Sequence, residues 1–157
     1  MRFYSTPSEH VKALAAGLSD DLGIQVIDFL DVNLDTGYTQ LAYVIGDCEP
    51  LGETCHGQEK QELEVELRLY VPITKDAEKH NAQTYALDLS TKIISLLKYR
   101  FYGFNDQRES PVIDSNDALA MTYSKRHQYC VRSIIFRQVV YAGATAHDLY
   151  DVTIEEK

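Results

Sequence analysis

Ten consecutive residues, Glu62 to Val71, alternate without a break. Leu63, Val65, Leu67, Leu69 and Val71 fall on one side, and Glu62, Glu64, Glu66, Arg68 and Tyr70 on the other. Successive side chains of an extended chain point to opposite faces, so this segment is a strand with one apolar and one wet face. Such a strand belongs in a largely antiparallel sheet covered on one side, and Pro72 suits its end. The remaining chain must therefore supply partner strands and a layer to cover the leucines.

Two helices can form that layer. Thr6-Pro7-Ser8-Glu9 has an N-cap threonine, a proline at the first helical position and a glutamate that closes a capping box. Val11, Leu14, Ala15 and Leu18 then recur on one helical face, and Gly23 suits the stop. A second, longer helix is predicted from Lys75 to Arg100, capped by Thr74 and stopped by Gly103. Its core stripe is Ala82, Ala86, Leu89, Ile93, Leu96 and Leu97.

The remaining strands read as follows. Ile24 to Phe29 and Tyr38 to Ile45 form a hairpin around a turn from Asn33 to Gly37. Gly46 to Lys60, with Gly46, Pro50, Gly52 and Gly57, reads as a polar, mobile loop. Val112-Ile113 and Ala118 to Tyr123 are short strands flanking a turn at Asp114 to Asp117. Gln128 to Tyr141 is a long strand whose centre, Ile134-Ile135-Phe136, is apolar on both faces. One face is covered by the helices; the other is covered within the chain or by a neighbour. Residues 147–157 form a C-terminal tail or a short edge strand, Val152 to Ile154. The expected fold is α+β: a mostly antiparallel, mixed sheet with two helices mainly on one face, in a single domain over residues 1–157.

Charge narrows the function. The net charge is −9, and the acidity is concentrated: from Ser19 to Glu66 twelve acids face Lys60 alone. A chain of this balance is a poor freestanding duplex-DNA binder. Glu62, Glu64 and Glu66 mark an acidic surface or channel lining, with no cation alternating among them before Arg68. No apolar run approaches the roughly 18–20 residues that span a bilayer, so no membrane partner is expected. The N-terminal residues lack the apolar core of a signal peptide, which points to a reducing cytoplasm. Cys48, Cys55 and Cys130 have no framework spacing and are expected as free thiols, Cys130 buried in its strand.

Motifs for chemistry are sparse. Neither phosphate-binding glycine loop occurs, nor a GxSxG elbow. Cys48, Cys55 and His56 share one segment, but structural zinc wants four ligands at tighter spacing. Glu64 and Glu66 with Asp28 approach a magnesium-dependent nuclease pattern, although Arg68 stands where a tunable lysine is needed. Tyr99, Phe101, Tyr102 and Phe104 cluster among Lys98, Arg100 and Arg108; aromatics interleaved with cations suit either an interface or single-stranded nucleic acid. With this net charge, Tyr99, Phe101, Tyr102 and Phe104 are assigned, with Ile134 and Phe136, to a candidate interface. No catalytic, cofactor or metal residue is assigned, and no cofactor is expected.

A capped first helix leads to a hairpin and to the strand ending "LRLYVPI"; "AQTYALDLSTKIISLLKY" and the late strand "YCVRSIIFRQVVYAG" follow. This order, over roughly residues 5–145, resembles the tail terminator and tail completion proteins of long-tailed bacteriophages, including Mu-like prophage families. Those proteins commonly carry a tryptophan near the start of the late strand, where this chain has Tyr129. The resemblance implies a non-enzymatic structural protein that forms a ring, often a hexamer, caps the tail tube and joins it to the head. Its partners would be further copies, tail-tube and head-completion proteins, with DNA only as a passing polymer. Its place would be the bacterial cytoplasm during assembly and then the virion tail. Two alternatives stay open: a magnesium enzyme on Asp28, Glu64 and Glu66, and a monomeric ligand-binding or regulatory domain using the Tyr99 to Phe104 cluster.

Overall fold

The computed structural model describes residues 6–53, 59–73, 81–100, 102 and 110–142. Helix α1 (Pro7–Leu22) starts at the predicted capping box: Thr6 Oγ1 accepts from the Glu9 amide, and the Glu9 carboxylate accepts from the Thr6 amide. It ends at Gly23 in the left-handed conformation. Strand β1 (Gln25–Asp28) follows, then two short 3-10 turns, Phe29–Asp31 and Leu34–Thr36. Strands β2 (Gln40–Glu53) and β3 (Glu59–Ile73) precede helix α2 (Ala82–Tyr99). Strands β4 (Val112–Ser124) and β5 (His127–Ala142) complete one five-stranded sheet in the order β1-β2-β3-β5-β4. All pairings are antiparallel except β1 with β2. The fold is α+β with a mixed sheet, as expected.

Both helices lie on one sheet face. Val11, Leu14 and Leu18 of α1 and Ala82, Ala86, Leu89, Ile93 and Leu97 of α2 share one buried cluster with the whole apolar side of β3. The period-two pattern of β3 and the helical stripes thus meet in the same core.

Three sequence expectations are corrected. First, Gly46 to Glu53 and Glu59 to Lys60 are strand and not loop: β2 runs on to Glu53 and β3 begins at Glu59, paired to each other and, through β3, to the end of β5. Bulges between Ile45 and Cys48 and between Pro50 and Gly52 absorb the residues that resembled loop punctuation. Residues 54–58, with Cys55 and His56, lie outside the described residues. Second, Asp114 to Asp117 is not a turn but part of β4, held by bulges at Ile113/Ser115 and Leu119/Thr122. Third, β1 and β2 are not a hairpin but a parallel pair. The segment between them crosses the sheet face opposite the helices, where Val32 and Leu34 pack on Ala42, Tyr70, Tyr129 and Val131. Burial of those two side chains draws the chain back before β2 starts. The caps predicted at Thr74 and Gly103 and the tail 147–157 lie outside the described residues.

Gly37 closes the crossing. Its φ is +73°, and a Cβ there would lie 2.8 Å from the His127 ring. Gly37→Ala is expected to cost about 1–2 kcal/mol from the left-handed backbone alone, more if His127 cannot move. Urea unfolding of the variant beside wild type measures it.

Candidate functional site

The face turned away from the helices carries the acidic row of β3. Glu62, Glu64 and Glu66 are half-buried there and about 6.5–7 Å apart. The expectation of an unopposed row is corrected by neighbouring strands. Arg137 of β5 grips the Asp114 carboxylate through two bonds, Nε to Oδ2 at 2.8 Å and Nη2 to Oδ1 at 3.0 Å, and donates Nη1 to Glu62 at 3.2 Å. Arg68 pairs with Glu66, which also accepts from Ser133 Oγ at 3.1 Å. The Arg68 guanidinium lies 4.8 Å from the centre of the Phe29 ring, a favourable stacking of cation on aromatic face. Glu64 stands opposite Arg137 in the strand register but makes no ion pair among the described residues. Its side chain rests against Gly46, where a Cβ would come within 2.9 Å of Oε1. The face is therefore charged, with its outer carboxylates compensated and its middle one half-buried against Gly46.

Bonding to Arg137 holds the Asp114 carboxyl below its ordinary range. Arg100 and Tyr102 do the same for Asp21 at the end of α1. A carboxyl lowered in the folded state stabilises the fold above its unfolded value near 3.9, and that stability is lost as pH falls through the folded value. Stability of the chain is therefore expected to drop below about pH 4, with a shallower acid limb in Arg137→Gln; urea midpoints between pH 3 and 6 test this.

The interface residues assigned from sequence do not form one surface. Ile134 and Phe136 are 0% and 1% exposed, in the core beneath the helices. They face the helical layer because they share parity with Cys130 on β5, and no partner protein can reach them. Tyr102 is also used internally. Its ring packs where Gly17 of α1 leaves no Cβ, and its hydroxyl donates to Asp21, which Arg100 holds at 2.9 and 3.2 Å. Burial and that bond push the phenol up. This cluster ties the end of α2 to α1. Tyr99 alone of the described aromatics there is open, at 78% exposure; Phe101 and Phe104 lie outside the described residues.

The magnesium triad is not assembled. Asp28 sits on edge strand β1 and caps the Leu30 amide at 2.9 Å, whereas Glu66 is held by Arg68 and Ser133 two strands away. Among the described residues no three His, Cys, Asp or Glu side chains are grouped to hold a metal ion. Cys48 is exposed and donates to Gln61 Oε1 at 3.2 Å. Cys130 is buried as expected, and burial pushes its thiol up.

A groove between α2 and β4 was missed by sequence reasoning. Its volume is about 420 Å³, and it is lined by Ala86 and Leu87 of α2, Leu119 and Met121 of β4, and Cys130 and Arg132 of β5, among others. Arg132 is tied down: Nε and Nη2 donate to the Asn116 side chain and carbonyl at 3.0 and 2.9 Å, and Asn116 Nδ2 reaches Ser90 Oγ on α2. The groove wall is the run Ala118-Leu119-Ala120-Met121, four consecutive exposed apolar residues on an edge strand. That break in alternation was the available signal, since such runs are left exposed for a contact.

No helix among the described residues is long and apolar enough to cross a membrane. The chain matches no model of a known protein family, and no curated protein matches it.

Proposed function

We propose that this chain is a non-enzymatic structural protein of a long-tailed phage or prophage, one that caps the tail tube and joins it to the head as a ring. The observation that carries the reading is the edge of β4, unpaired among the described residues, with its exposed apolar run next to a groove that no part of the described chain fills. An edge strand presents unpaired backbone groups, and natural proteins leave one apolar and open where another chain pairs or docks. The charged face supports the same role. Glu62 and Glu66 are paired with Arg137 and Arg68, but Asp47, Glu49, Glu53 and Glu59 of β2 and β3 are exposed, and like charge there disfavours adhesion of a phosphate polymer passing by. The element order supports it in part: the capped helix, alternating strand, second helix and late strand follow as in the resembling families, whereas the hairpin of that order is here a parallel pair.

The test is genetic and structural. Deleting the gene from its phage is expected to give tubes of uncontrolled length without heads, rescued by the wild-type chain. Normal particles from the deletion would overturn the reading.

A further inference from the structure

The sheet is charged lengthwise, with opposite signs at its two ends. At one end the β2–β3 hairpin projects past β1, which leaves β2 after Tyr43, and it exposes Asp47, Glu49, Glu53 and Glu59. At the other end, roughly 45 Å along β3, the β4–β5 turn exposes Lys125 and Arg126. Asp35 beside that turn is engaged by Ser124 Oγ. The apolar features follow the same polarity. Leu51 is the extra residue of the bulge between Pro50 and Gly52, and it is exposed. Gly52 has φ +99°, a conformation that glycine supplies freely and that turns the arm at that point. The groove lies towards the basic end, where Leu87, Leu119 and Met121 are 47%, 40% and 39% exposed.

The geometry points to a head-to-tail contact between copies of this chain: the acidic arm of one seats its exposed Leu51 in the α2–β4 groove of the next, with Glu49 and Glu53 near Lys125 and Arg126. The arm and the groove lie at opposite ends of one rigid sheet, so they meet only between molecules. A contact between two different patches is heterologous, and it builds a ring when the rotation closes. Among the described residues both surfaces also leave a strand edge unpaired, β2 beyond Tyr43 and the outer side of β4, so backbone pairing is available to the joint. This inference rests on the ring reading above and assigns its interface.

Sedimentation velocity of the full chain, over a range of concentration and salt, tests it. Wild type is expected to associate and to loosen as salt rises, because exposed charge pairs are screened. Lys125→Glu with Arg126→Glu, or Glu49→Lys with Glu53→Lys, should each weaken association by about tenfold or more. All four changes in one chain should restore it. These positions are exposed, and an unchanged melting curve confirms that each variant folds. A bismaleimide should also join Cys48 of one copy to Met121→Cys of another, in a Cys55→Ser background. Association unaffected by either charge reversal overturns this contact and moves the ring to another surface. A wild type that stays monomeric at every concentration overturns it too, and the deletion phenotype then decides the capping role separately.

Discussion

Phe136→Asp is expected to leave the chain unfolded at 25 °C. Phe136 is fully buried in the cluster that joins β3, β5 and both helices. Truncation of such a phenylalanine costs about 3–5 kcal/mol. A carboxylate in its place adds several kcal/mol, because the described side chains clustered around it are apolar and leave a buried charge unpaired. A domain of this size holds roughly 5–15 kcal/mol in total, so the two costs together consume it. Circular dichroism should show no cooperative melt. The control is Glu64→Lys on the opposite face, where the side chain is half-buried and makes no ion pair among the described residues; the change is expected to cost under about 1 kcal/mol, so this variant should melt close to wild type. A folded Phe136→Asp chain would mean that this side of β5 is not the core. Because Phe136 is buried, loss of assembly in this variant reports on folding and not on an interface.

What could be read in the sequence was whatever side-chain burial writes there. The β3 alternation, the α1 stripe and its capping box, and the stripe of α2 each record a face pressed on the core. Strands held by backbone pairing leave no such record. The outer half of β2 carries Gly46, Pro50 and Gly52 and buries nothing, yet it is strand because β3 lies alongside, itself paired on its other edge as far as Ala142. Asp114 to Asp117 looked like a turn because Asp, Ser and Asn favour turns. In the fold Asp114 is taken up by Arg137 and Asn116 by Arg132 and Ser90, partners remote in sequence. The same blindness hid the compensation of the acidic row, since Arg137 lies more than seventy residues from Glu62. The candidate interface failed at Ile134 and Phe136 for a related reason. A strand apolar on both sides does not say which side the helices take, or that residues 29–36 cover part of the other.

That second cover rests on Tyr129, the residue with the next largest expected effect. It is fully buried on the face opposite the helices, edge-on to Tyr70 with ring centres 6.4 Å apart. Its hydroxyl donates to the Leu34 carbonyl and accepts from the Gly37 amide at 3.1 Å, so one phenol fixes both ends of the second 3-10 turn. Tyr129→Ala removes the ring and both bonds, and a loss of about 3–5 kcal/mol is expected from the cavity alone. Tyr129→Phe keeps the ring but strands the Gly37 amide and the Leu34 carbonyl, at about 1–3 kcal/mol for a buried group left unmade. If the crossing segment is pinned by the hydroxyl, hydrogen exchange in Tyr129→Phe should quicken at residues 29–37 while the amides of β3 and β5 stay protected. Equal stability of Tyr129→Phe and wild type would show that Val32 and Leu34 hold the crossing by packing alone. A phenylalanine variant as damaged as the alanine one would make the two hydrogen bonds, and not the ring, the main support of this face.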